Sequence, residues 1–232
     1  MTEVELSETL AAARARLAAA LRDAGRDEHA AQLLAVSKTK PASMIREAYR
    51  HGQRDFGENY LQEALHKQAE LADLTDIVWH FIGPLQSNKT RFVAECFDWV
   101  HSIDRKKIAQ RLSEQRPAHL PALNVCLQVN VSGEASKSGA TFEQLDALAS
   151  AVVDMPRLAL RGLMAIPAPA TTLAEQRMPL ARLRQALETL REHYPQAPLD
   201  TLSMGMSDDL EAAVAEGATL VRLGTAIFGA RQ

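Results

Sequence analysis

The chain has 232 residues, 47% of them hydrophobic and 24% charged, with a formal net charge of -3. That length suits one or two domains with a substantial core. The slightly acidic balance argues against nucleic acid as a partner, and no stretch approaches the roughly twenty apolar residues that span a bilayer. The opening residues MTEVELSETL carry acids where a secretory signal has an apolar run, so a cytoplasmic protein is expected. Cys96 and Cys126 stand among apolar neighbours without metal-ligand spacing. They read as reduced core thiols, and no metal site is expected.

The first predicted element is a helix over residues 1–25. Leu6, Leu10, Leu17 and Leu21 recur at spacings of four and seven in an alanine- and arginine-rich stretch, and Gly25 is a suitable stop. A rhythm then begins. QLLAVSK is an apolar run, and a helical pattern follows Pro41 through Met44, Ile45, Ala48 and Tyr49. The runs RDFGEN, IVWHFIG, FDWVHSI, LNVCLQVN, LALRGLMAI, LDTLSMG and TLVRLGT complete eight strand candidates. Helical patterns lie between most of them, over 60–73, 85–95, 105–115, 142–153, 172–192 and 208–215. Strands alternating with helices form parallel sheets. Eight such units in this length predict one α/β domain over residues 1–232, a (β/α)8 TIM-type barrel with an extra N-terminal helix. An open doubly wound sheet is the competing fold, because periodicity alone does not close a barrel. The usual nucleotide-binding glycine loops are missing.

Chemistry in such a barrel sits at the C-terminal strand ends. Those ends read Lys38, Asn59, His80, Ser102, Asn130, Met164, Ser203 and Arg222. Each is open to a plain reading as strand-end solvation; together they predict a polar pocket. The last two ends are the most informative. LSMGMSDDLEAA offers the hydroxyls of Ser203 and Ser207 with Gly205 between them, and VRLGTAIFGAR places Gly224 and Thr225 at a helix start. Glycine beside the free N–H groups of a helix start makes an anion site, and phosphate sites in these barrels commonly follow strands seven and eight. Ser207 as a simple N-cap and Gly224 as a tight turn are the plainer alternatives. Lys38 ends an apolar run, where an ammonium group is costly unless paired or used. Closure of the barrel would set strand one beside strand eight. An amine there is placed to form a Schiff base with a phosphorylated aldehyde.

At this point a resemblance enters. AVSKTKP, DFGENYLQEALHK, WHFIGPLQSNK, VHSID, LQVNVSGEASKSG, RGLMAI and LSMGMSDDLEAAVAEGATLVRLGTAIFGAR look like the YggS/PROSC family, the pyridoxal phosphate homeostasis proteins, over residues 32–231. The resemblance implies the fold type III barrel shared with the N-terminal domain of alanine racemase, and pyridoxal 5'-phosphate as cofactor. It implies that Lys38 carries the cofactor and that Ser203, Gly205, Met206, Gly224 and Thr225 hold its phosphate. Arg222 is then placed opposite the pyridine nitrogen, with Asn59 and Met164 near the ring.

The function so implied is a non-catalytic binder that holds and delivers the cofactor in intracellular vitamin B6 homeostasis. Its partners would be the cofactor and apo-forms of pyridoxal-phosphate enzymes, and the chain is expected to be a monomer. A pyridoxal-phosphate-dependent amino-acid racemase is the alternative. Racemases of this fold add a second domain that lends a tyrosine, and the sequence stops at Gln232; Tyr49, Tyr60 and Tyr194 lie in no motif suited to that role. A sugar-phosphate barrel enzyme using Lys38 is the third reading. Lys137, in SGEASKSG, is a candidate secondary or transfer site.

Overall fold

The structure, a computed structural model, describes residues 1–230 apart from Ser136. All eight predicted strands form. They are β1 (Gln32–Val36), β2 (Asp55–Glu58), β3 (Val78–Phe81), β4 (Trp99–Ile103), β5 (Leu123–Gln128), β6 (Leu158–Met164), β7 (Thr201–Ser203) and β8 (Leu220–Leu223). They close into a barrel in chain order, and β1 pairs in parallel with both β2 and β8. Barrel closure thus decides against the open sheet.

The helices are α1 (Glu3–Asp23), α2 (Ala42–Arg50), α3 (Leu61–Glu70), α4 (Thr90–Cys96), α5 (Lys106–Gln115), α6 (Phe142–Val153), α7 (Leu173–His193), α8 (Leu210–Ala215) and α9 (Thr225–Phe228). A capping box starts α1, in which Glu5 N–H donates to Thr2 Oγ1 at 3.2 Å and Thr2 N–H to Glu5 Oε2 at 2.6 Å. The four leucines expected on one face are all buried. The last βα unit has only the four-residue α9 after its strand. The helix α1 packs on α8, α9 and α2, and so completes the outer ring at the seam where β8 meets β1.

Strand alternation sorts the side chains. On β1, Leu33 and Ala35 join the main core under the helices, while Leu34 and Val36 form a separate small cluster with Ile82. The same alternation puts Leu202, Val221 and Leu223 in the main core and turns Ser203 and Arg222 inward. Interior layers of such barrels are usually branched aliphatics. Here the inward set includes His80, His101, Ser203 and Arg222, all buried.

Candidate functional site

Lys38 follows β1 by two residues and is half-buried. It has the parity of Leu34 and Val36, so the alternation points it inward. The backbone around it is tightly held. The Ser37 N–H donates to the Gly57 carbonyl at 3.0 Å, and the Ser37 carbonyl accepts from Lys40 N–H at 3.1 Å and from Lys67 Nζ at 2.7 Å. Thr39 then turns the chain back with φ 65°, a left-handed conformation that β-branched residues rarely adopt. Such a residue costs about 1–3 kcal/mol and persists only where the surroundings impose it.

The same clamp reaches the end of β2. Ser37 Oγ donates to Glu58 Oε1 at 2.9 Å, and Lys67 Nζ donates to that oxygen at 2.7 Å. Lys67 also pairs with Glu63 at 2.9 Å. Burial pushes the Glu58 carboxyl up, against the hydrogen bond and charge of Lys67 and the hydroxyl of Ser37. Lys67 thereby ties the residue before Lys38 to the residue before Asn59.

A cavity of about 310 Å³ opens at the C-terminal end of the strands, lined by Val36, Lys38, Thr39, Lys40, Asn59, Ile82, Met164, Ile166, Met206, Ser207, Asp208, Arg222, Gly224, Thr225 and Gly229. Seven of the nine expected site residues therefore share one cavity: Lys38, Asn59, Met164, Met206, Arg222, Gly224 and Thr225. Asn59 keeps a buried side-chain oxygen without a hydrogen-bond partner. A Cβ on Gly224 would stand 3.3 Å from the Val36 carbonyl, so the turn after β8 lies close against β1.

Arg222 is 4% exposed. Its Nη1 donates to the Ser203 carbonyl at 2.8 Å and to Ser203 Oγ at 2.7 Å, and its Nη2 to the Ala165 carbonyl at 2.9 Å. Burial lowers its pKa to about 10, so it stays protonated at neutral pH.

Two expected residues stand behind the cavity wall. Ser203 is fully buried, and its hydroxyl meets Arg222 and His101 Nδ1, both at 2.7 Å. Gly205 accepts the Arg222 N–H at 2.9 Å. It has φ 102°, and a Cβ there would come within 2.7 Å of the Ala213 Cβ, so packing accounts for this glycine. Ser207, weighed above against a simple N-cap, lines the cavity instead. The Met206 N–H donates to Asp209 Oδ1 at 2.7 Å.

Of the other strand-end residues, His80 lies inside the barrel, Ser102 is buried with an unpartnered hydroxyl, and Asn130 braces its own loop through Glu134. None of the three lines the cavity. Lys137 lies in that β5 loop, its Nζ 3.8 Å from Glu134, and does not line the cavity either. Cys126 is buried, and burial pushes its thiol up to about 12. Among the described residues no cluster of three His, Cys, Asp or Glu is set to hold a metal ion.

The family described as alanine racemase, N-terminal domain, matches residues 9–232. A pyridoxal phosphate homeostasis protein of Pseudomonas aeruginosa is 66% identical over 226 residues, covering 97% of this chain and 96% of the relative. One from Escherichia coli is 55% identical, covering 98% and 97%. The chain belongs to the pyridoxal phosphate homeostasis protein family. A solved structure of PipY from Synechococcus elongatus with PLP bound is similar to this member of the family at 41% identity and a TM-score of 0.84, covering 97% of this chain and all of that one. Alanine racemase of Corynebacterium glutamicum shares the fold, at 18% identity and a TM-score of 0.73, and this chain covers 62% of it.

Proposed function

We propose that this chain binds pyridoxal 5'-phosphate reversibly through a Schiff base on Lys38, and holds and delivers it without turnover of its own. One observation carries the reading: an amine, a buried guanidinium and the Gly224–Thr225 turn converge on one cavity. The residues fit the group chemically. The Gly224 carbonyl takes the Ile227 and Phe228 N–H groups at 3.0 and 2.9 Å; the Thr225 and Ala226 N–H groups at the helix start suit a phosphate, and the Ser207 and Thr225 hydroxyls add donors. The unpartnered Asn59 oxygen lacks a donor that a ring hydroxyl would supply. Met164 and Ile82 supply an apolar wall. PLP bound in the PipY structure supports the same assignment.

When bound, the cofactor supplies an electron sink whose strength depends on protonation of its ring nitrogen. Arg222 disfavours that protonation, because like charges repel. The residue therefore restrains carbanion chemistry and leaves Lys38 to reversible carbonyl capture. We further read the protein as a cytoplasmic monomer that supplies apo-enzymes, with Lys137 as a secondary transfer site. No helix among the described residues is long and apolar enough to cross a membrane.

The test is the absorbance spectrum of purified protein with added cofactor, before and after borohydride, with the reduced lysine mapped by mass spectrometry. The expected label falls on Lys38 and is lost in Lys38→Ala. A label found mainly on Lys40, Lys89 or Lys137 would overturn the assignment. Rates of cofactor transfer from a Lys137→Ala variant to an acceptor apo-enzyme test the secondary site; an unchanged rate removes it.

A further inference from the structure

Beneath the cavity, four hydrogen bonds run end to end through the barrel. Arg222 Nη1 meets Ser203 Oγ at 2.7 Å, Ser203 Oγ meets His101 Nδ1 at 2.7 Å, His101 Nε2 meets His80 Nδ1 at 2.9 Å, and His80 Nε2 meets Asp55 Oδ1 at 2.9 Å. The chain passes from β8 through β7, β4 and β3 to the first residue of β2, at the opposite end of the barrel. His80, His101 and Ser203 are each at most 1% exposed, and the Asp55 side chain is 24% exposed.

The chemistry of the two ends sets a direction. Arginine has no acceptor, so Arg222 donates to Ser203. A carboxylate has no donor, so His80 donates from Nε2 to Asp55. In a His80 ring with a single proton, Nδ1 then accepts, and His101 donates from Nε2. His101 Nδ1 is left to accept, and the Ser203 hydroxyl supplies the proton. Every donor then points from the guanidinium toward the carboxylate, and each ring nitrogen has one partner. Trp99 stacks on His80 at 5.4 Å between centroids with the rings 13° apart, which fixes the plane of that imidazole.

We propose that Asp55, His80 and His101 are positioning residues: with Ser203 they form a one-way hydrogen-bond chain that holds Arg222 at the floor of the cavity, in register for the cofactor ring. The assignment of the cavity to the cofactor rests on the reading above; the direction of the chain does not. Without the His101 acceptor the Ser203 hydroxyl is free to rotate. Its lone pair then no longer faces Arg222 by necessity. Asp55 anchors the far end of the chain at 2.9 Å from His80 Nε2. Burial, with His80 and Arg222 as neighbours, holds the His101 pKa well below the ordinary histidine range.

Two measurements test this. Long-range nitrogen–proton NMR of the wild-type protein without ligand should show both His80 and His101 neutral and carrying the proton on Nε2. A proton on Nδ1 of His101, or a charged His101 ring near neutral pH, overturns the direction whatever the protein binds. Titration of Asp55 variants with pyridoxal 5'-phosphate tests the consequence. Asp55→Ala, far from the cavity, should weaken binding by about threefold to tenfold, less than the roughly tenfold to hundredfold that a charged hydrogen bond lost at Arg222 itself would cost. Asp55→Asn, whose carbonyl oxygen still accepts, should restore affinity to within about twofold of wild type. Equal affinity of wild type and Asp55→Ala, or no rescue by Asp55→Asn, defeats the positioning role. Failure of wild type itself to bind would instead defeat the cofactor reading and leave the NMR result standing.

Discussion

Arg222 is a buried cation held by two carbonyls and one hydroxyl, with Ala165, Ser203 and their strands as its frame. The hydroxyl matters because it alone can be removed without touching the backbone. Ser203→Ala leaves the guanidinium one hydrogen bond short, and a bond to a charged group is worth about 1.5–3 kcal/mol. Affinity for pyridoxal 5'-phosphate should fall by roughly tenfold to a hundredfold, measured by equilibrium titration. Wild-type affinity in Ser203→Ala would show that Arg222 needs no side-chain support. His101 makes a second prediction at this scale. Its unfolded imidazole titrates near the ordinary value of 6.5, and burial holds the folded one well below that. Above the unfolded value both states are neutral and the contribution to stability is fully present. As pH falls through it, the unfolded chain gains a proton that the folded chain refuses, and stability drops by about 1.4 kcal/mol per pH unit. Urea midpoints should therefore decline from about pH 7.5 to about pH 5, with a shallower slope in His101→Asn.

At the scale of elements, the site depends on strand ends that are tied to one another. Lys67 reaches from α3 to the Ser37 carbonyl and the Glu58 carboxylate, and so couples the ends of β1 and β2. Both charges of that pair are buried, Lys67 at 4% and Glu58 at 0% exposure. Breaking such a pair on one side leaves a buried charge uncompensated and costs about 3–5 kcal/mol, whereas replacing both partners by apolar residues is often neutral. Lys67→Met should destabilise the fold by that amount in chemical denaturation. The double change of Lys67→Met with Glu58→Leu should recover most of the loss, and a double variant no more stable than the single one would rule out the buried charge as the cause. The helix α1 has a comparable role at the other side of the cavity. Arg16 donates to the Ser207 carbonyl at 2.6 Å and pairs with Glu211 at 2.8 Å, and Thr9 donates to the Ile227 carbonyl at 2.6 Å. It thereby braces both loops on which the phosphate reading rests.

Across the whole molecule, the cavity sets what the barrel can do to a bound amino acid. Racemisation removes a proton on one face and returns it on the other, so it needs an acid–base group opposite Lys38. The other charged residues lining the cavity are Lys40, Asp208 and Arg222. Lys40 Nζ is held by the Ala230 carbonyl at 2.7 Å, and no tyrosine, cysteine or histidine is among the lining residues. Incubation of the loaded protein with L-alanine or L-serine in deuterated water should give no appreciable D-enantiomer by chiral analysis. Multiple turnovers that disappear in Lys38→Ala would make it an enzyme. The strand and helix rhythm, the lysine at the end of β1 and the glycine turn after β8 were all legible in the sequence, because periodicity and chain punctuation are local properties. The family motifs around Lys38, Arg222 and Gly224 were legible for the same reason. Closure of the sheet was not, since pairing of β1 with β8 joins residues nearly two hundred positions apart. Nor was the division of labour between Ser203 and Ser207, which both follow the same run. Only the tertiary fold turned one hydroxyl inward to His101 and left the other at the cavity. His80 and His101 stood in plain view as polar residues inside apolar runs. What joined them to Asp55 and Arg222 was the inward parity of strands from different parts of the chain, which no local pattern encodes.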